Sequence, residues 1–567
     1  MAKKLTHADK AGRYAKKVLN GKQIACQLIH QACTRYFKDL KRKDLQYRTA
    51  EANAFCRFAE TFHHVKGEWA KRREPIKLED WQCFLFCNIY GFYRKATGYR
   101  RYTEAYCEVA RKQGKSTVAT LIGLFMTTED GESGAEVFCG ATTEKQANMV
   151  FQTARQMAKA EAEFLEWYGV EVMAQSIFRS SDGSFFKRVI GDPGDGDNPS
   201  CWIVDEFHEH KKANLYQTGK TGMGARRQPL MFIITTAGDD VSGPCYQKRE
   251  ECLKILNGVF SDESADSTFI LIYTIDQGKD NFVDPFSVKA LRMANPNYNV
   301  SVSGKWLRSQ QLQAKRSAKD RGPFLTKHLN LWVNATDAFL NYEDWRKCGD
   351  SEMRIEDYEH LPMMLAVDLS GRIDFTCAMK VFYWFEDDGQ QHYAWFPQFW
   401  LPENRIFESD APDSYKIWAD EGHINICPGD EINVKDVRTR IIEDIEGHYT
   451  EEVIFDPWKS AGYEQEIEQE TGIEIVRFGQ TIGQYTAPMD ELEAAVMSGR
   501  VHHPNNPVLN WMATNLMTVR NTNGSKKPRK DDATKKIDGM SAGIMGLGRA
   551  MTRAENEGDL PDNMVSL

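Results

Sequence analysis

Apolar positions recur along this chain in three rhythms, and each predicts a different architecture. Over residues 1–75 the rhythm is helical, with Tyr14, Val18, Ile24, Leu28 and Phe37, and later Phe55, Phe58 and Phe62, set in a strongly charged background. From residue 103 short apolar runs take over. Residues 103–109 (TEAYCEV), 135–141 (AEVFCGA), 201–205 (CWIVD) and 229–237 (PLMFIITTA) have strand length, and the last is continuous enough to be buried on both faces. Helical stretches alternate with them: residues 118–126 follow the first run, and TTEKQANMVFQTARQM, opened by a threonine cap, follows the second. Such alternation predicts an α/β sheet. At Met363 the rhythm changes again. MMLAVDLSGRIDFTCAMKVFYWFEDDGQQHYAWFPQFW reads as strand, tight turn at Ser370-Gly371, strand, turn at Asp388-Gly389 and strand, an antiparallel run.

Composition narrows the class. At 567 residues the chain exceeds a single core and should form two to four domains. A hydrophobic share of 41% and a charged share of 27% are ordinary for a globular protein. No apolar run reaches the roughly 18 residues of a membrane span, and MAKKLTHADK lacks an apolar signal core, so a cytoplasmic protein without membrane contact is expected. Thirteen cysteines without CxxC pairs argue against a disulfide framework, and His208-Glu209-His210 lacks partners at metal spacing. The net charge of −9 is unevenly spread: residues 1–44 carry twelve Lys/Arg against Asp9, Asp39 and Asp44, and residues 520–536 carry seven against Asp531 and Asp532. Basic faces on an acidic body suit a protein that grips phosphate backbone locally, or are solvated surface. The helical extension 1–75 either meets DNA or a partner, or packs on the next domain.

Candidate chemistry begins at VARKQGKST, residues 109–117. Between a strand and a helix, Gly114 would let backbone N–H groups close on phosphate, Lys115 would neutralise it, and the Ser116 hydroxyl would hold Mg²⁺, with Thr117 beside it. The full motif asks for glycine where Val109 stands. Gln82, in LEDWQCFLF, is a candidate adenine reader because an amide matches donor and acceptor edges. In CWIVDEFHEH the strand end presents Asp205, to hold the ion through water, and Glu206, to polarise attacking water. The hydroxyls of Thr235 and Thr236 end the next strand and could sense the terminal phosphate.

The order WQ, RKQGKST, VDE and TTAG resembles the ATPase motor of the large terminase subunit of tailed bacteriophages. In that family the first glycine of the loop is commonly missing and an Arg-Lys pair precedes GK, so the resemblance absorbs Val109 and brings Arg111, Lys112 and Gln113 into the ATP site. It also implies a charge-stabilising arginine, either Arg111 in cis or Arg226/Arg227 from a neighbouring subunit. Ala294-Asn295-Pro296 and the segments 324–333 and 339–345 look like the family's connection to a second domain.

That second domain begins as a ribonuclease-H-like fold does, with Asp368 ending its first strand. Asp456, in VIFDPW, follows a strand at 452–455, and Asp538 opens a small-residue helix. If the three acids converge they bind two Mg²⁺ or Mn²⁺ ions about 4 Å apart and cut phosphodiesters. Asp374 assists or braces the turn, and the basic stretch 521–536 would hold DNA phosphates. The expected organisation is a helical extension 1–75, a P-loop ATPase core 76–260, a subdomain and linker 261–350 and a nuclease 351–567. The resemblance implies a packaging motor that acts on double-stranded DNA with a portal protein, a small terminase subunit and a homo-oligomeric ring, a pentamer on the portal. Such a protein works in the host cytoplasm at the procapsid portal vertex and is absent from the mature virion. The rivals are a helicase or restriction-type translocase, since DEFH resembles a DExH box, and an assembly factor with a vestigial ATPase.

Overall fold

The computed structural model describes residues 5–558 except 142–143, 191–195, 242, 279–280, 334–338, 370–372, 407–412, 457–462, 522–523 and 531–534. The expected threonine cap at 142–143, the Ser370-Gly371 turn, and Asp531 and Asp532 therefore lie outside the described residues. The chain divides into two compact units, residues 1–332 and 333–567.

In the first unit the N-terminal stretch is helical, as its periodicity predicts: α1 (His7–Leu19), α2 (Gln27–Asp39), α3 (Thr49–Ala59), α4 (Gly67–Lys71) and α5 (Asp80–Gly91), with β1 (Leu45–Tyr47) paired antiparallel to β2 (Phe92–Arg94). Thr6 caps α1 in a reciprocal capping box with Asp9. The eight-stranded sheet that follows comprises β3 (Glu104–Glu108), β4 (Glu136–Ala141), β5 (Val170–Val172), β6 (Ser176–Arg179), β7 (Phe185–Ile190), β8 (Cys201–Asp205), β9 (Leu230–Thr235) and β10 (Thr268–Ile272). Their order is β10-β3-β9-β8-β4-β7-β6-β5. The first six are mutually parallel, and β6 and β5 are added antiparallel at one edge. All residues of β3, β8 and β9 are buried, which is why those strands read as apolar runs.

Helix α6 (Lys115–Thr128) follows β3 and α7 (Glu144–Ala160) follows β4. The N-terminal helices close the β10 side of the sheet. Arg35 on α2 donates to the Thr268 carbonyl at 2.8 Å, the Cys26 thiol to Ile272 O at 3.4 Å, and the hydroxyls of Tyr14 and Tyr273 share a 2.6 Å hydrogen bond. Backbone groups at a sheet edge are thus satisfied by the extension rather than by water.

The second unit is built on a seven-stranded sheet. Its strands are β11 (Met363–Asp368), β12 (Thr376–Phe385), β13 (Gln391–Pro402), β14 (Asn425–Cys427), β15 (Thr450–Phe455), β16 (Glu474–Arg477) and β17 (Val501–His502). The order is β14-β13-β12-β11-β15-β16, with β17 beside β13. β11, β12 and β13 are antiparallel neighbours, whereas β15 joins β11 in parallel. A separate hairpin of β18 (Met517–Arg520) and β19 (Lys526–Arg529) precedes the last helix, Asp538–Gly558. Small residues let that helix lie directly on the sheet. A Cβ on Gly539 would stand 2.8 Å from the Phe399 ring, one on Gly546 2.7 Å from Val381, and one on Gly543 inside the Trp395 ring contact.

Candidate active sites in the two units

The loop between β3 and α6 explains how a valine replaces the first glycine. Val109 is fully buried, its N–H donates to Thr235 O at 3.0 Å, and it is not among the residues with positive φ. The left-handed positions fall instead at Lys112 (φ 69°) and at Gly114 (φ 82°), the N-cap of α6. Positive φ is costly for lysine, of order 1–3 kcal/mol, and such strain gathers at functional loops. At its end the loop delivers Lys115 to the carboxyl edge of β8 and β9. The buried Lys115 ammonium donates to the Thr236 hydroxyl and stands 3.5 Å from Glu206 Oε2. Ser116 and Thr117 follow on the first turn of α6, half-buried.

Two carboxylates face this lysine. Asp205 ends β8, and burial, reinforced by the Glu206 charge and opposed by Lys115, pushes its carboxyl up to about 7. Glu206 adopts φ 48°, a second strained residue, and its buried Oε2 accepts no hydrogen bond. A carboxylate oxygen with no hydrogen bond, facing the Lys115 ammonium at 3.5 Å and lying beside a buried carboxyl of raised pKa, suits a divalent cation and an attacking water. His208, weighed above only as part of a metal cluster, stands 3.4 Å from Glu206 Oε2 and meets the Thr235 hydroxyl through both its N–H and Nδ1. The Thr235 hydroxyl in turn donates to Thr236 O at 3.0 Å, so only the Thr236 hydroxyl contacts the lysine.

Two expectations need correction and a third is narrowed. Gln113 does not offer its side chain to nucleotide: the amide is fully buried, donating to Asn295 Oδ1 at 2.8 Å and accepting from Asn297 N–H at 2.8 Å. Asn297 Nδ2 also donates to Gln113 O at 3.1 Å, and its Oδ1 accepts from Trp81 Nε1 at 2.7 Å. The segment that follows Ala294 is therefore a brace for the phosphate loop, a role with no signal in the residues themselves. Arg226 lies before β9, at the end of the strands opposite the loop, and its guanidinium is spent on Asn198 O, Gly134 O and Glu132. The neighbouring Arg227, exposed and bonded to Tyr99 OH at 2.9 Å, presents its guanidinium outward there. Gln82 does line a cavity with Gly114 and Thr117, but its carbonyl oxygen already accepts from Glu79 N–H at 3.0 Å, so it brings its NH₂ to that space. Arg111 is exposed at the loop and anchored through its own N–H to Lys327 O at 2.9 Å.

In the second unit, pairing register sets Val367 beside Phe455 on parallel strands. Asp368 and Asp456, one residue further on each, are consequently neighbours at one end of the sheet, and both are buried. Asp368 also pairs with Cys377 on β12, whose thiol is raised chiefly by burial and then by the charges of Asp368 and Asp538. Burial likewise dominates at Tyr485, with Asp368 and Asp456 adding to it. Thus the three acids share neighbours across residues 368–538. Asp538 is pushed up to about 6 by burial and by Asp374, against Lys530 and Lys536. Gln480 donates to Asp456 Oδ2 at 2.5 Å, and Lys536 to Asp374 Oδ2 at 2.6 Å. Among the described residues no three His, Cys, Asp or Glu side chains already stand close enough together to hold one ion. Nor is there, among them, a helix long and apolar enough to cross a membrane.

Residues 80–254 match the terminase large subunit ATPase domain, and residues 262–555 match the terminase large subunit endonuclease domain. The chain belongs to the terminase large subunit family. It is 37% identical over 407 residues to Protein YmfN of Escherichia coli (strain K12), covering 70% of this chain and 87% of that protein. To the terminase large subunit of Enterobacteria phage HK97 it is 25% identical over 474 residues, 81% of this chain and 89% of that one. The crystal structure of the HK97 bacteriophage large terminase aligns over 88% of this chain and 99% of its own, at 23% identity and a TM-score of 0.45. The protein is accordingly a DNA-packaging ATPase with an endonuclease domain. The match boundary and the fold differ in one respect, because residues 262–332 fall in the endonuclease match yet contribute β10 to the ATPase sheet and Asn295 and Asn297 to its loop. Hydrogen bonding assigns them to the first unit.

Proposed function

We propose that the chain hydrolyses ATP with Mg²⁺ at the loop 109–117 to drive double-stranded DNA through a portal protein into a capsid, and cuts that DNA at Asp368, Asp456 and Asp538. One observation carries the ATPase assignment: the Lys115 ammonium is held between the Thr236 hydroxyl and Glu206, at the strand end that also presents Asp205. Lys115 and the N–H groups around Gly114 bind the triphosphate, Ser116 and Asp205 hold the cation, and Glu206 takes the proton of the attacking water. Arg111 serves as the transition-state arginine in cis, supported by its exposure at the loop, with Arg227 of a neighbouring subunit as the alternative. Mg²⁺ supplies charge neutralisation at the phosphates when bound.

In the nuclease unit, two Mg²⁺ or Mn²⁺ ions would supply activated water and leaving-group stabilisation. Asp368, Asp456 and Asp538 hold them, while Gln480 orients Asp456. The buried Asp538, raised by desolvation and by Asp374, supports this reading, since a buried carboxyl beside another acid favours a cation. Family membership supports a homo-oligomeric ring, a pentamer on the portal, and a small terminase subunit as partner. Paired assays on the purified chain test both sites. Glu206→Gln should bind ATP and lose turnover by about 10²–10⁴-fold while cutting in Mn²⁺ persists, and Asp368→Asn should do the reverse. Turnover by Glu206→Gln at the wild-type rate, or cutting by Asp368→Asn, would sink the corresponding assignment.

A further inference from the structure

The cavity that opens from Gly114 and Thr117 is about 410 Å³, enough for a nucleoside, and its far wall lies outside the residues that match the family. That wall is the arm 62–76, which leaves α3, carries α4 and returns before α5. The arm is clasped at its base: Ile76 N–H donates to Phe62 O at 2.8 Å and His64 N–H to Glu74 O at 3.0 Å. It is also tied across to α7, with Lys66 Nζ donating to Thr153 Oγ1 at 2.9 Å, and to the residue that follows α7, with His63 N–H donating to Glu161 Oε1 at 3.0 Å. Within it Glu74 N–H donates to Trp69 O at 3.0 Å, and the Trp69 and His64 rings lie 4.5 Å apart. Leu121 and Met157 also line the cavity, as does Gln82, its Nε2 3.9 Å from where a Cβ on Gly114 would stand. The space is thus lined by the loop around Gly114, by an aromatic side chain, by apolar side chains and by an amide donor. A flat π-system with ring acceptors, attached to phosphates, is the chemistry that fits.

We propose that Trp69 is the base platform of the nucleotide site, so that the purine of ATP lies against its ring and the N-terminal extension completes the ATPase pocket. The proposal rests on the nucleotide reading of the loop 109–117. It makes residues 62–76 a binding element as well as a packing one, and it gives the donor on Gln82 a ring nitrogen to meet.

Titration of the full chain with a fluorescent N-methylanthraniloyl ATP tests it, using wild type, Trp69→Ala, Trp69→Phe and Trp167→Ala, the last an 84% exposed tryptophan outside this cavity. Trp69→Ala should weaken binding about 5- to 100-fold, the range that base–aromatic stacking supplies. Trp69→Phe should restore most of the affinity, Trp167→Ala should match wild type, and the KM for ATP should follow the binding. Competition by inorganic tripolyphosphate, which has no base, should be equal in wild type and Trp69→Ala. Wild-type affinity in a folded Trp69→Ala protein overturns the platform and leaves the loop assignment standing. Equal weakening of ATP and tripolyphosphate also overturns it, because the arm would then act by holding the loop. A wild-type protein that binds neither compound overturns the nucleotide reading itself.

Discussion

Replacing Asn297 with alanine probes the brace that holds the phosphate loop, at a buried residue that also borders the cavity beside Gly114. Asn297 is buried, and its side chain makes two hydrogen bonds, donating to Gln113 O at 3.1 Å and accepting from Trp81 Nε1 at 2.7 Å. Alanine preserves the backbone N–H that Gln113 Oε1 accepts but orphans the indole N–H and one lone pair of the carbonyl. An unmade partner for a buried polar group costs about 1–3 kcal/mol, so the pair should cost about 2–6 kcal/mol of first-unit stability. The second consequence concerns function. Gln113 precedes Gly114 and Lys115, so a loop that relaxes displaces the ammonium from Thr236 and Glu206, and a misplacement of about 1 Å can cost about 100-fold in rate. Urea unfolding followed by tryptophan fluorescence reads the first effect, and steady-state ATP turnover reads the second. Asn297→Asp should rank between wild type and alanine in stability, since it keeps an acceptor for Trp81 while losing the donor to Gln113 O. If Asn297→Ala unfolds at the wild-type urea midpoint and turns over ATP normally, the segment after Ala294 is a passive connection.

Arginine substitutions should separate chemistry from scaffolding. Arg111→Ala should lower ATP turnover by about 10³–10⁵ without changing the melting temperature, whereas Arg226→Ala should lower the melting temperature because Glu132 and two backbone carbonyls lose their donor. A turnover collapse in folded Arg226→Ala would reverse that assignment. In the second unit, Gly543→Val should prevent stable folding, since its side chain must enter the space of Trp395, and circular dichroism of residues 333–567 in the intact chain's melt would register the loss. Acid should destabilise the same unit through His503, which stacks on Trp345 at 4.3 Å and which burial lowers to about 4. With its folded value depressed, the unfolded chain binds the extra proton, so the stabilisation is whole above about pH 6.5 and is lost as pH falls toward 4; at about 1.4 kcal/mol per unit this reaches about 3 kcal/mol. His503→Gln should flatten that part of the pH profile of melting, and an unchanged profile would show that the ring is not held neutral.

Much of the architecture was legible because buried parallel strands must be apolar throughout and their carboxyl ends must carry the polar groups. That logic located β3, β4, β8 and β9, with Lys115, Asp205, Glu206 and Thr236 at one edge, and β11 ending in Asp368 and β15 leading into Asp456. Other elements left no comparable trace. β7 places Lys187 and Arg188 among its apolar residues and so breaks the pattern of a covered strand, and the β5 to β6 addition is short and edge-bound.

What the residues determined by themselves was the inventory of chemistry and its order along the chain: a phosphate loop, two carboxylates, paired threonines, then three distant aspartates. Local covalent logic suffices there, since a glycine before a helix start or an acid ending a strand is defined by its immediate neighbours. Only the tertiary structure decided the assignments that depend on contacts between distant positions. It turned Gln113 inward against Asn295 and Asn297, enclosed Arg226 among carbonyls at the far end of the sheet, gave Glu206 a strained backbone beside His208, and set Trp69 across a cavity from Gly114. Whether a polar side chain faces a ligand or a partner in its own fold depends on which neighbours have satisfied it first, and those neighbours lie tens to hundreds of residues away.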